Sequence, residues 1–279
     1  MRALSGLERV GVGVCYQDGL RPFYASNRDV IDYIEVPAIP GRLGLVQVDG
    51  FRVIVHSIHL SPMSASPIDP EVLEEVRGYV ARFPTPWWSE HLSFYKVPGH
   101  DTQFVLPPIR TEESLDVVCR NVRALMAQVP LPFILENIPD HFQVPGPLAT
   151  IDDGLFIGEV CRRTGAGLLL DLNHAHITAH NAGLDAADYL LRLPLEQTVE
   201  IHVAGSRLQD GILWDAHEEP LKEEMYGLLD LVLQRQDVKA VTLECLPGLP
   251  GDVLRGELER LRAAFARAAA ARDAVGAGG

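Results

Sequence analysis

The chain has 279 residues, nearly half of them apolar, and a net charge of −14. That length suits one (β/α)8 domain or two smaller ones. The acidic balance excludes the clustered Lys and Arg that a nucleic-acid or anionic-membrane surface requires, and no apolar run approaches the roughly 20 residues of a membrane helix.

Short, nearly continuous apolar runs lie at Val10–Tyr16, Tyr33–Pro37, Arg52–His59, Trp87–Ser93, Phe133–Ile138, Gly167–Asn173, Val199–Ala204 and Ala240–Leu246. Such runs fit parallel strands buried on both faces. Between the first two, Asp18 to Arg28 leaves room only for a small helix. Asp69–Phe83 carries Val72, Leu73, Val76 and Val80 at helical spacing, and Asp69-Pro70 opens it. Thr111-Glu112-Glu113 opens a second helix with Leu115, Val118, Val122 and Leu125 on one face. Gly154–Arg163, Ala186–Leu193, Pro220–Gln234 and Gly251–Ala271 follow as helices. Strands alternating with helices imply a parallel α/β sheet, and eight strands favour closure into a (β/α)8 barrel. No linker or internal repeat divides the chain. The expectation is one catalytic domain over residues 1–268 and a flexible tail over 269–279.

The four cysteines, Cys15, Cys119, Cys161 and Cys245, have no CxxC spacing, and MRALSGLERVGVGV lacks the apolar core and cleavage signal of a secretory leader. Reduced thiols in a cytoplasmic protein are expected.

Catalytic groups of a (β/α)8 barrel sit at the C-terminal ends of its strands, and here those ends carry acids and histidines. Glu35 is either an inward group or a polar plug of the barrel. His56 ends a buried strand, with His59 in a structural place three residues on. Glu90 and His91 are adjacent, so strand alternation turns them to opposite sides unless the strand ends there. His91 is favoured as a metal ligand, and Glu90 as the residue that orients a ligand or anchors a loop. Glu136 follows three apolar residues. A buried carboxylate must be paired or bind metal, and its two oxygens suit it to bridge two cations, with Asn137 fixing the loop. Asp171 and Asn173 share a strand face by periodicity, with His174 at the loop start and His176 and His180 further out. His202 ends the seventh strand, Asp215 and His217 form a D-x-H triplet in the following loop, and Glu244 ends the last strand. Mixed imidazole and carboxylate donors suit iron, manganese or zinc better than calcium or magnesium, and the lack of cysteine donors argues against structural zinc.

Seven segments in order, SEHLSF (Ser89–Phe94), LPPIRTEESL (Leu106–Leu115), LENI (Leu135–Ile138), RTGAGLLLDLNHAHITAHNAG (Arg163–Gly183), EIHVAG (Glu200–Gly205), DAH (Asp215–His217) and LEC (Leu243–Cys245), carry a resemblance. The chain resembles the multinuclear non-haem iron-dependent oxidases, the family of the methanobactin-biosynthesis oxidase, over about residues 8 to 265. The resemblance implies a xylose-isomerase-like (β/α)8 barrel with two or three irons, as Fe(II) or Fe(III), at its mouth. It implies His56, His91, Glu136, Asp171, His174, His202, Asp215, His217 and Glu244 as metal ligands, with Asn173 as a ligand or behind them, where the residues themselves place Glu35, Glu90 and Asn137. It further implies dioxygen as co-substrate, a ribosomal precursor peptide modified at a residue such as cysteine, and a small partner protein that presents the peptide. The chain departs from the family pattern at His56-Ser57-Ile58-His59, where a glycine-rich run is usual, and at Ser206, where a histidine often stands. The competing readings are a divalent-metal sugar isomerase or lyase on the same barrel, and a non-catalytic metal-binding protein.

Overall fold

The computed structural model describes residues 4, 6–97 and 100–276. In chain order the strands are β1 (Gly11–Cys15), β2 (Tyr33–Pro37), β3 (Arg52–Ser57), β4 (Trp88–His91), β5 (Phe94–Val97), β6 (His100–Leu106), β7 (Phe133–Glu136), β8 (Gly167–Asp171), β9 (Thr198–Ala204), β10 (Ser206–Gln209), β11 (Ile212–Asp215) and β12 (Ala240–Glu244). The helices are α1 (Arg21–Ser26), α2 (Pro70–Arg82), α3 (Glu112–Gln128), α4 (Asp153–Thr164), α5 (Leu172–Asn181), α6 (Ala186–Leu190), α7 (Glu223–Leu233) and α8 (Gly251–Gly276).

Eight of the strands form a closed barrel in the order β1-β2-β3-β4-β7-β8-β9-β12, with β12 returning to β1. All eight junctions are parallel. The eight runs expected as strands are these eight. The main core lies between barrel and helices, where Val12, Ile34, Val55, Leu135, Leu170 and Val203 meet residues such as Val76, Leu125 and Leu229. Asp69 caps α2 by accepting from the Glu71 amide, and Thr111 caps α3 by accepting from the Ser114 amide, as their positions in the sequence imply.

A second, smaller cluster fills the barrel interior: Val10, Tyr33, Ile54, Trp87, Ile134, Leu169, Val199 and Ala240. Gly13 makes room for it, since a Cβ there would come within 2.6 Å of the Tyr33 ring. This apolar floor decides what lies above it. Side chains two residues apart on a strand share a face. Tyr33, Ile54, Ile134 and Leu169 therefore aim Glu35, His56, Glu136 and Asp171 inward one layer higher, at the C-terminal mouth.

Two antiparallel hairpins, β5–β6 and β10–β11, stand on that mouth. Neither is expected from the apolar runs. The strand expected to run to His59 stops at Ser57, and the strand expected to run to Asn173 stops at Asp171, with α5 replacing its last two residues and the loop expected to start at His174. The tail expected from residue 269 starts as helix instead: α8 continues to Gly276, and Arg272 donates to the Leu233 carbonyl. The remainder of the expected tail, residues 277–279, lies outside the described residues. Among the described residues no helix is long and apolar enough to cross a membrane.

Candidate metal centre

Register brings the inward polar layer together. His91 lies beside Glu136 across β4 and β7, and Asp171 lies beside His202 across β8 and β9. Both Glu136 oxygens face imidazoles. Oε2 is 3.2 Å from His56 Nε2 and 3.2 Å from His91 Nε2. Oε1 is 3.3 Å from His174 Nδ1 and 3.9 Å from His202 Nδ1. Glu244 Oε1 stands 3.3 Å from His202 Nδ1, and Glu244 Oε2 stands 3.6 Å from His217 Nε2. Asp215 reaches His217 Nε2 at 2.8 Å and His174 Nε2 at 3.3 Å.

These contacts sort into three groups, each with donor atoms mutually within 4.8 Å: His56, His91 and Glu136; Glu136, Asp171 and His202; and His174, Asp215 and His217. A fourth group, Glu35, Glu200 and His202, meets the same spacing, but its acids are already bonded. Glu200 accepts from Trp87 Nε1 at 2.7 Å and from Thr242 Oγ1 at 2.8 Å, and Glu35 Oε2 meets His202 Nε2 at 2.9 Å. That group is a support beneath the other three.

Four of the five imidazoles are held by a bond on one ring nitrogen; for His174 that nitrogen, Nδ1, is also the one 3.3 Å from Glu136 Oε1, while its Nε2 faces Asp215. His91 Nδ1 donates to the Ser57 carbonyl at 3.3 Å, and His174 Nδ1 donates to the Asn137 carbonyl at 2.8 Å. His56 Nδ1 pairs with Ser89 Oγ at 2.7 Å, the residue beside it in register. Glu35 holds His202 from its Nε2 side. A metal-binding histidine is oriented by just such a bond on its other nitrogen. With its proton on Nδ1, His91 presents a lone pair to Glu136 Oε2, and two acceptors facing each other at 3.2 Å repel unless a proton on Glu136 or a metal cation lies between them.

The unpartnered atoms test whether a cation fits. Both Glu136 oxygens, Asp171 Oδ2, Asn173 Oδ1, His202 Nδ1 and His217 Nε2 are buried without a hydrogen-bond partner. Buried polar atoms are almost always satisfied, and these six lie together at the mouth, whereas others, such as Trp88 Nε1, Thr198 Oγ1 and Tyr226 Oη, are scattered through the molecule. Among the described residues, the ion pairs of Glu136, Asp171, Asp215 and Glu244 are to histidine, with no lysine or arginine. Ligands about 2.0–2.2 Å from one ion sit roughly 3–3.5 Å from each other, which is the spacing of Glu136 from His56 and His91 and of Asp215 from His174, while His202 stands 3.9 Å from Glu136. The donor set is nitrogen and oxygen without sulfur, so the residues fit a borderline transition metal such as iron.

Protonation follows the same layout. Burial and the neighbouring His91 imidazole hold His56 well below the ordinary histidine range, and burial pushes His91 down to about 3. Both are neutral, the form that binds metal. Burial raises Glu136 well above the usual carboxylate range despite His202 and His174, and it raises Asp171 to about 6. For His174, burial is outweighed by Asp171 and Asp215, and for His202 by Glu35 and Glu244, so both are raised. His217, likewise overriding burial through Asp215 and Glu244, rises to about 10. Protons on these histidines hold the acids together, and cations binding there would displace them.

The other expected residues fall as follows. Glu90 turns away from the groups and accepts from the Leu60 amide at 3.0 Å and the His91 amide at 2.8 Å, so it anchors the strand end. Asn137 pairs with the Asp171 backbone in both directions, at 3.0 and 2.9 Å. Asn173 corrects the strand reading: it stands in the first turn of α5, and its Nδ2 donates to Asp215 Oδ1 at 2.7 Å. Asp171 ends the strand and caps that helix, accepting from the His174 amide at 2.6 Å. Asp215 ends β11 rather than lying in a loop. His176 faces Glu224 at 3.3 Å, away from the groups. Ser57, Ser89, His141 and Glu200 are the supporting residues that sequence reasoning missed. Glu200 was legible, because it lies two residues before His202 on the same strand face.

A family model described as "RiPP precursor modification enzyme MbnB/TglH/ChrH" matches residues 22–266. The chain belongs to this family. Two relatives of this chain are UPF0276 proteins. The one from Caulobacter vibrioides is 30% identical over 262 residues, covering 89% of this chain and 93% of its own. The one from Bordetella pertussis is 32% identical over 241 residues, covering 83% and 82%. Among solved structures, an L-ribulose 3-epimerase superposes with a TM-score of 0.58 at 14% identity, covering 95% of this chain and 98% of that one. A xylose isomerase-like TIM barrel protein from Mycobacterium smegmatis gives 0.53 at 14%, covering 95% and 100%. These structures establish a xylose-isomerase-like (β/α)8 barrel and nothing about the reaction.

Proposed function

We propose that the protein is a multinuclear non-haem iron oxidase that uses dioxygen to modify a residue, cysteine in our assignment, of a ribosomally made precursor peptide. The observation that carries this reading is Glu136: one buried carboxylate, with both oxygens unpartnered, faces four imidazoles. Family membership supports the peptide substrate. His56, His91 and Glu136 would hold one ion. Glu136, Asp171, His202 and Glu244 would hold a second, and His174, Asp215 and His217 a third. Bound iron would supply redox chemistry towards dioxygen and would acidify a ligated thiol.

The chain's own residues do the rest. Ser89, the Ser57 and Asn137 carbonyls and Glu35 keep the imidazoles aimed, so little reorganisation accompanies reaction. The apolar floor of Tyr33, Ile54, Ile134 and Leu169 closes the barrel below the site and excludes water from that side. The third group is the more open: the side chains of Asp215 and His217 are 20% and 22% exposed, against 4% for His56. Substrate therefore approaches from the side of Asp215 and His217. A small protein partner that presents the peptide completes the proposal, on the resemblance described above.

The test is co-expression with a short cysteine-bearing precursor encoded beside this chain. The expected result is a mass change in the precursor that requires iron and consumes dioxygen. Full product under strict anaerobiosis would sink the oxidase reading, as would aldose turnover with manganese or magnesium and no oxygen uptake.

A further inference from the structure

Four aromatic rings gather beside the third group, and apart from the support His141 gives Asp215, no role described so far uses them. They come from three separate excursions at the mouth: Phe104 from β6, His141 and Phe142 from the connection after β7, and Trp214 from β11. His141 and Trp214 stack, with centroids 4.9 Å apart and planes 24° apart. Phe104 adjoins His141 at 5.9 Å, and Phe142 meets Trp214 edge-on at 5.7 Å.

The inner part of this ledge is tied to the centre. Trp214 directly precedes Asp215, and His141 Nε2 accepts from the Asp215 amide at 3.4 Å, with His141 buried. The outer part is not covered: Phe104 is 48% exposed and Phe142 64% exposed. A lone exposed aromatic needs no explanation. Two of them from different elements, packed on the buried His141 and the half-buried Trp214 beside the candidate centre, form an apolar surface continuous with it.

We propose that Phe104, His141, Phe142 and Trp214 form a subsite for an aromatic or large aliphatic side chain of the peptide substrate, adjacent to the residue held at Asp215 and His217. The proposal rests on the peptide-modification reading for its occupant. Continuity with Asp215 favours a substrate side chain over a partner protein. Successive residues of an extended peptide are about 3.3–3.6 Å apart, so a side chain on the ledge lies a few residues at most from one at the third group. The rings supply flat, rigid apolar area, which suits a hydrophobic side chain and the planar peptide group beside it. A specificity for hydrophobic residues near the modified position follows.

The subsite can be tested apart from the reaction. N-acetyl-phenylalaninamide, N-acetyl-leucinamide and N-acetyl-glycinamide are titrated into the full chain while tryptophan emission is followed. Trp87 and Trp88 are fully buried, so the responding signal is expected from Trp214 and should vanish in Trp214→Phe. The phenylalanine and leucine probes should bind about tenfold tighter than the glycine probe, the size of one partly buried side chain. The Phe104→Ala/Phe142→Ala double variant should lose that tenfold preference, and Phe142→Leu should keep it to within about twofold. Both positions are exposed, so thermal melts should match the parent. Equal affinity for the three probes, no saturable response, or an unchanged preference in the double variant would overturn the subsite. With a precursor in hand, the double variant should raise KM. Product formation with KM unmoved would defeat the subsite and leave the oxidase reading intact. Probe binding as expected, with no precursor modified, would retain the subsite's apolar preference and defeat the oxidase reading.

Discussion

Glu136→Gln separates a shared carboxylate from three independent sites. The substitution keeps shape and volume but replaces one oxygen by an NH2 donor and removes the charge. In the structure Glu136 offers Oε2 to His56 and His91 and Oε1 towards His202, so two of the three groups lose a ligand through one change. Removing a residue that merely orients a ligand weakens metal binding about 10–100-fold. Removing the ligand itself should exceed about 100-fold, or about 2.7 kcal/mol, at each of the two groups. The third group keeps His174, Asp215 and His217. After anaerobic loading and desalting, elemental analysis should therefore find iron falling from about three per chain to about one. The metal-free variant should not be less stable than the metal-free parent. Burial raises Glu136 above its unfolded value, so the unfolded chain gives up that proton first and stability falls as pH rises above about 4.3. Glutamine removes that decline. Iron near three per chain in Glu136→Gln would refute the shared-ligand reasoning. A collapse of Tm in the metal-free variant would refute the claim that Glu136 is held for a cation rather than for the fold.

Three further outcomes follow. Glu35→Gln should weaken iron binding by about 10–100-fold without abolishing it, because Glu35 acts through His202 Nε2; a chelator competition assay measures this, and an unchanged affinity would contradict it. Glu90, raised by burial to about 7, stays protonated in the fold while the unfolded carboxyl has ionised, so metal-free protein should lose stability between about pH 4.5 and 7, by up to about 3 kcal/mol; denaturant titrations across that range should show the slope reduced in Glu90→Gln, and an identical slope would contradict the assignment. Gly205→Ala should lower Tm and deplete the third group together, because its Cβ would lie 1.8 Å from the Glu219 carbonyl oxygen and its own carbonyl accepts from the His217 amide; a variant with parental Tm and full iron content would show that the crowding is relieved at no cost.

The sequence announces the barrel because its strands are buried on both faces, which makes runs such as Leu168-Leu169-Leu170 continuous and easy to find. It announces most of the candidate ligands for the same reason: Glu136, Asp171 and His202 interrupt runs whose other polar residues are few, Asn137, Asn173 and Glu200. The hairpins were not legible. Strand β6, HDTQFVL, is largely solvent-exposed and carries no core-facing alternation. Helix α5, LNHAHITAHN, was hidden because eight of its residues are buried, so it has no polar face to mark a helical period. Asp171 was read as strand when it is also the cap of that helix, and the cap is what turns His174 back into the mouth. The pairing of Ser89 with His56 depends on β-sheet register between strands more than 30 residues apart in sequence, a relation that no local pattern encodes.

The most direct test of a shared, Glu136-linked centre is anomalous diffraction at the iron edge from crystals loaded without oxygen. The account predicts iron peaks on both sides of the Glu136 carboxylate, one with His56 and His91 and one with His202. Iron in the crystal with no peak at bonding distance from either Glu136 oxygen would contradict it.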